Sequence, residues 1–180
     1  MAHIKVVRRS MRPEEWTQLR FGWLKRHIYS KKWEIKNLMI RDARQISEMN
    51  FDYYSDDYRP LNKGDMYFTP DGTAFIKADV DIPQDMQGEE LWFSLKTAAE
   101  ICVKINGKYV GGVDPNRERM LISPYINDKK TLHFDMMGYN RSKPDDERNP
   151  ESLSVRGCRQ IFEGAYICTV NPVSYTHLTL

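Results

Sequence analysis

From residue 73 onward, apolar and polar side chains alternate in short runs broken by turn residues, the period of a half-buried β-strand. Thr73 to Ile82 sets Ile76, Ala78 and Val80 against Phe75, Lys77 and Asp79. Further runs follow at Leu91 to Thr97, Ile101 to Asn106, Lys108 to Val113, Met120 to Ser123, Thr131 to Gly138 and Gln160 to Val170. Strands at roughly ten-residue spacing with no helical pattern between them predict an antiparallel β-sandwich or jelly roll. Asn106-Gly107 between two alternating runs predicts a hairpin, because a type I′ turn needs φ > 0 at both central residues. Ile101, Val103 and Ile105 then face the core, and Lys104 and Lys108 face water. Gly111-Gly112 suits a bulge or a close backbone approach, and Asp114-Pro115-Asn116 reads as a turn in which Asp114 bonds its own backbone.

The chain before these runs has another texture. Pro13, Glu14 and Glu15 suit the first turn of a helix, and Trp16, Leu19, Trp23, Leu24, His27 and Ile28 recur at helical spacing, which predicts a helix over 13–30. Two tryptophans on its apolar stripe are more than a free-standing surface helix needs, so the stripe is expected to dock on something. From Trp33 to Met49 the apolar positions fit neither period, and helix and strand both stay open. The expected organisation is a helical lead-in over 1–50 and a sandwich over 51–172. The polar stretch 140–157, with two prolines, is the loop expected to meet another domain.

Composition narrows the function classes. A chain of 180 residues, 41% hydrophobic, supports one ordinary domain with a core. With 27 basic and 25 acidic side chains the net charge of +2 points to no polyanionic partner. Residues 1–32 hold nine Lys and Arg against two Glu, but these cations are scattered around the predicted helix without interleaved aromatics, so nucleic acid is not an expected partner. No run of about 18 apolar residues and no secretory leader is visible, so neither a membrane partner nor export is expected and the location reads as cytoplasmic. Cys102, Cys158 and Cys168 form no CxxC and read as reduced thiols, Cys102 as a core residue on an alternating strand.

Candidate chemistry is sparse. The carboxylate clusters Asp56-Asp57, Glu89-Glu90 and Asp145-Asp146-Glu147 fall in turns or polar loops and read as solvated surface. His3, His27 and His133 are far apart, and no ligand pair sits at helix or hairpin spacing. The glycines show no phosphate-binding spacing. No catalytic, cofactor-binding or metal-ligating residue is therefore expected in this chain.

Three blocks carry a resemblance: GDMYFTPDGTAFIKADVDIP (64–83), LWFSLKTAAEICVKINGKYVGGVDPNRERMLI (91–122) and LHFDMMGYNRSKPDDER (132–148). In this order they resemble the N-terminal β-sandwich region of bacterial alpha-mannosidases of glycoside hydrolase family 38. The most specific part is the hairpin together with Asp114-Pro115-Asn116-Arg117. A departure is Met66-Tyr67, where a Trp is expected after Gly-Asp. The resemblance implies a sandwich that is inert by itself and packs on a catalytic domain. That domain holds the zinc ion and the nucleophilic Asp of a retaining mannosidase, so zinc is not expected in this chain. The expected contacts with it are Trp16, Leu19, Trp23, Asp114, Arg117, Arg119 and Arg141. A second reading is a free-standing carbohydrate-binding module with Tyr53, Tyr54, Tyr58, Tyr67 and Tyr109 as an aromatic platform. A third is the sandwich of another glycosidase family, such as the beta-galactosidases. Residues 173–180, VSYTHLTL, match an in-frame reading of a common transposon-based sequencing adapter, so native sequence is expected to stop near Pro172 and His177 is set aside as a site residue.

Overall fold

A computed structural model describes residues 12–68, 72–126, 130–140 and 160–171; the side chains of 23–26 and 160 lie outside that description. The adapter-like residues 173–180, Arg141 and most of the 140–157 loop also lie outside it. The chain divides into two compact units, residues 1–30 with 170–180, and residues 31–169.

The first unit holds helix α1 (Pro13–Arg26). Glu15 closes its first turn by accepting the Arg12 N–H at 3.1 Å, and Thr17 Oγ1 donates to the Pro13 carbonyl at 2.9 Å. The helix is shorter than the apolar spacing predicts, because the chain leaves it at His27 and strand β1 (Tyr29–Glu34) begins two residues later. Strand bonds replace the helical ones there: the Lys31 N–H donates to Thr169 Oγ1 at 3.1 Å and the Ile35 N–H to the Ala165 carbonyl at 2.8 Å.

The second unit is a sandwich of antiparallel sheets. Its strands continue as β2 (Met39–Ser47), β3 (Asn50–Tyr53), β4 (Arg59–Pro60), β5 (Met66–Tyr67), β6 (Thr73–Asp81), β7 (Leu91–Leu95), β8 (Glu100–Ile105), β9 (Lys108–Val113), β10 (Arg119–Leu121), β11 (Thr131–Tyr139), β12 (Gln160–Ile161) and β13 (Ala165–Val170). One sheet runs β1-β13-β7-β10. The larger runs β3-β2-β6-β11-β8-β9, with β4 also on β2, and β5 pairs with β12. The stretch 33–49, open between helix and strand on pattern alone, holds the end of β1 and all of β2, with 35–38 irregular between them, and β2 lies inside the larger sheet between β3 and β6. Its pattern is indistinct because Arg41, Asp42 and Arg44 break up the apolar positions and the buried Ile40 and Ala43 are three residues apart; Asp42 pairs with Arg59 at 3.0 Å. Strands thus begin at Tyr29 rather than after residue 50.

Alternation sorts side chains between core and solvent. Ile76, Ala78, Val80, Leu132, Phe134, Met136, Ile101, Val103 and Ile105 of the larger sheet are buried, as are Leu91, Phe93, Leu95, Ala165 and Ile167 of the smaller one. The Phe93 and Phe134 rings meet between the sheets with centroids 5.2 Å apart. Burying side chains of this size contributes about 1.5–3 kcal/mol each, which makes this layer the main source of stability. At one end Tyr67 takes the aromatic core place, 2% exposed against Phe68 and Phe162, and its hydroxyl donates to the Lys96 carbonyl at 3.3 Å. Phe68 takes φ +59°, a left-handed conformation bulky residues avoid. Its ring fills the space left by Gly138, where an added Cβ would lie 2.4 Å from Phe68 Cζ.

Candidate functional site

The glycine-rich stretch after β8 is first a piece of folding geometry. Asn106 and Gly107 have φ of +52° and +82°, the type I′ turn expected of Asn-Gly. The register then slips between Val103 and Lys104, so Val110 is the extra residue of a bulge. Gly112 is where backbone comes close: a Cβ there would lie 2.7 Å from the Ile101 carbonyl oxygen.

The turn that follows is self-contained. Asp114 Oδ1 accepts the N–H groups of Asn116 at 2.8 Å and Arg117 at 3.0 Å, and Arg117 Nε and Nη2 both reach Oδ2 at 3.0 Å. Donation from the Asn116 N–H holds the Asp114 carboxyl below its ordinary range; partial burial opposes this and Arg117 adds to it. The turn borders an open groove of about 530 Å³ lined also by Glu100, Cys102 and Tyr109.

Beside it, the outer face of the larger sheet carries a second depression of about 150 Å³, lined by Phe51, Tyr58, Phe75, Cys102, Lys104, Tyr109, Asp135 and Met137 among others. Two cross-strand rows run through it, and Lys77, at the end of the first, stands beside the lining residues rather than among them. In the first, Lys77 of β6 stands opposite Asp135 of β11, Asp135 opposite Lys104 of β8, and Lys104 opposite Tyr109 of β9. Opposite charges placed this way ordinarily pair, yet no ion pair joins Asp135 to either lysine. The Lys77 ammonium lies 4.0 Å from the centroid of Tyr58 and the Lys104 ammonium 4.3 Å from that of Tyr109, both attracted by the ring faces. The second row is apolar: Phe75 opposite Met137, Met137 opposite Cys102, and Cys102 opposite Gly112. Phe51 and Tyr53 extend it, with ring centroids 5.0 and 5.5 Å from that of Phe75. Arg41 covers Tyr53 at 3.7 Å, and its Nε, buried, has no hydrogen-bond partner.

The residues expected to meet another domain are dispersed. Trp16 and Leu19 are each 53% exposed on α1, and the Trp23 side chain lies outside the description. Asp114 and Arg117 are together in one turn. Arg119 is half-buried on β10, in the smaller sheet. Of the five tyrosines in the platform reading, Tyr58 and Tyr109 line the depression and Tyr53 flanks it, Tyr54 is exposed on the loop after β3, and Tyr67 belongs to the core. Cys102 also departs from expectation: it is half-buried on the outer face, because the alternation that buries Ile101 and Val103 turns residue 102 outward. The buried thiol is Cys168, whose pKa burial pushes up to about 12.

Lys77, Asp135, Phe75 and Met137 were not among the sequence candidates. Alternation puts Phe75 and Lys77 on one face of their strand, but the strand order that sets β11 beside both β6 and β8 has no local signature. Among the described residues no three His, Cys, Asp or Glu side chains gather as metal ligands, and no helix is long and apolar enough to cross a membrane.

Residues 34–152 match the family model described as alpha-mannosidase, jelly roll domain. No curated protein matches the chain. Among solved structures, a D341A D367A calcium binding mutant of Bacteroides uniformis beta-glucuronidase 2 superposes with a TM-score of 0.48 at 15% identity, over 77% of this chain and 18% of that one. This chain therefore spans less than a fifth of that protein's length.

Proposed function

The chain belongs to the alpha-mannosidase jelly roll domain family, and from that premise we propose that it is the non-catalytic sandwich of a zinc-dependent retaining alpha-mannosidase, supporting a catalytic domain outside these 180 residues. The family match across residues 34–152 carries the reading.

The chemistry of the described residues supports it. Retaining hydrolysis needs two carboxyl groups about 5 Å apart, one of them free to attack. Here Asp114 is engaged in its own turn, Asp42 with Arg59, Asp79 with His133 at 2.7 Å, Glu89 with Lys31 and Glu163 with Lys96 at 2.7 Å, while Asp135 lines its depression with no second carboxylate among the lining residues. The described residues do not fit a zinc site either, so the ion and the nucleophile are assigned to the catalytic domain and no step is routed through this chain.

What the chain supplies is surface. Arg117 has an 80% exposed side chain at the turn after β9, and Trp16 and Leu19 present apolar area on α1. Apolar area of this kind is what a partner domain covers. The test is to produce the complete enzyme with and without residues 31–169 and to assay turnover of p-nitrophenyl α-mannoside. Loss of soluble, active enzyme on deletion is expected, together with no turnover by the 180-residue chain. Turnover by this chain alone, or full activity of the deleted enzyme, overturns the proposal.

A further inference from the structure

We propose that the depression on the outer face of the larger sheet binds one neutral pyranose unit of a glycan, with Asp135 as the central hydrogen-bond acceptor. Lys77, Asp135, Lys104 and Tyr109 form a row across four adjacent strands, and Tyr58 from the loop before β4 lies against Lys77, so a carboxylate has an ammonium on each side and a tyrosine ring beside each ammonium. Two residues along the strands, the row of Phe75, Met137 and Cys102 offers an apolar strip. A pyranose ring has that same division, C–H groups over its faces and hydroxyls around its rim. An ionised carboxylate accepts from two vicinal hydroxyls at once, and Lys104, which lines the depression, donates to a ring or hydroxyl oxygen.

The lysines hold the site open. If they closed on Asp135 the acceptor would be consumed, as at Asp114; resting on the tyrosine rings, they leave it exposed. A cavity of about 150 Å³ holds one six-membered ring displacing several waters, not an oligosaccharide. A uronate carboxylate seated at the centre would abut Asp135, whereas sugar hydroxyls meet it as donors, so the central position takes a neutral rim. A few convergent polar groups over an apolar floor is the usual composition of a small-ligand site.

The choice of a mannoside as probe rests on the proposed function, but the test does not depend on catalysis. The 180-residue chain is titrated with methyl α-mannopyranoside, sodium glucuronate and the acyclic polyol mannitol by calorimetry. In a Cys158→Ser background, alkylation of Cys102 is followed in parallel. Saturable millimolar binding of the mannoside is expected, with protection of Cys102 and no binding of mannitol. Asp135→Asn is expected to weaken binding about tenfold, because a hydrogen bond to a charged acceptor is exchanged for a weaker one, and Tyr109→Ala to weaken it and uncover Cys102. Asp114→Asn is expected to leave it unchanged. No binding of the mannoside, tighter and salt-sensitive binding of glucuronate, or binding indifferent to both Asp135→Asn and Tyr109→Ala overturns the proposal. Failure here leaves the scaffold role standing, because that role is decided by turnover in the complete enzyme.

Discussion

Asp114 and Asp135 lie in neighbouring parts of one sheet face, each beside basic side chains, and differ in what their carboxylates do. Asp114 accepts two backbone N–H groups and the Arg117 guanidinium, so the fold consumes it. Asp135 has a lysine opposite it on either side, and both ammoniums rest on tyrosine rings instead. The conspicuous motif is therefore the structural one, and the site candidate is a residue that no motif marks. A short Asp-X-Asn turn satisfies its own carboxylate before any ligand arrives, whereas a carboxylate in mid-strand must find partners across the sheet or remain available.

The largest expected effect removes the platform both regions share. Phe134→Ala deletes the ring that meets Phe93 between the sheets, and urea unfolding is expected to show a loss of about 3–5 kcal/mol. A loss below about 1 kcal/mol would mean that the sheets are not held together at this layer. Gly138→Ala places a methyl group into the Phe68 ring, 2.4 Å from Cζ, and is expected to cost about 1–3 kcal/mol by the same measurement. A smaller cost would show that Phe68 can leave its place freely.

Asp114→Asn separates the two aspartates through their pH dependence. The Asp114 carboxyl titrates below its ordinary 3.8 in the folded chain. Its contribution to stability is therefore complete above pH 3.8 and is lost as pH falls from there through the folded pKa. Melting curves of wild type and Asp114→Asn are expected to differ at neutral pH and to converge in acid; a gap that persists in acid would show that the charge is not what holds the turn. Asp135→Asn is expected to change stability by less than about 0.5 kcal/mol at neutral pH, as for an exposed group without an ion pair. A clear destabilisation would show that Asp135 serves the fold.

The smallest effect is one of reactivity. With Cys158 replaced by Ser, a thiol reagent at pH 8 is expected to modify Cys102 in the native chain and to spare Cys168, whose pKa is about 12. Mass spectrometry before and after unfolding reads both sites. Reaction of native Cys168 would contradict its burial.

The residues by themselves fixed whatever depends on near neighbours in the chain. The strand periods from Thr73 onward, the Asn106-Gly107 turn, the bulge at Val110 beside Gly111 and the Asp114 turn all follow from the residues close by in the chain. Tertiary structure alone decided the rest. Residues 39–47 become strand because β2 finds β6 and β3, although their own pattern favours neither state. Tyr67 enters the core because its packing is set by the distant Phe162. The row through Lys77, Asp135, Lys104 and Tyr109 joins residues from four strands, and its order comes from which edges pair. Hydrogen-bonded pairing over long sequence separation has no local signature, so the place where the chain can meet a ligand appears only once the sheet is assembled.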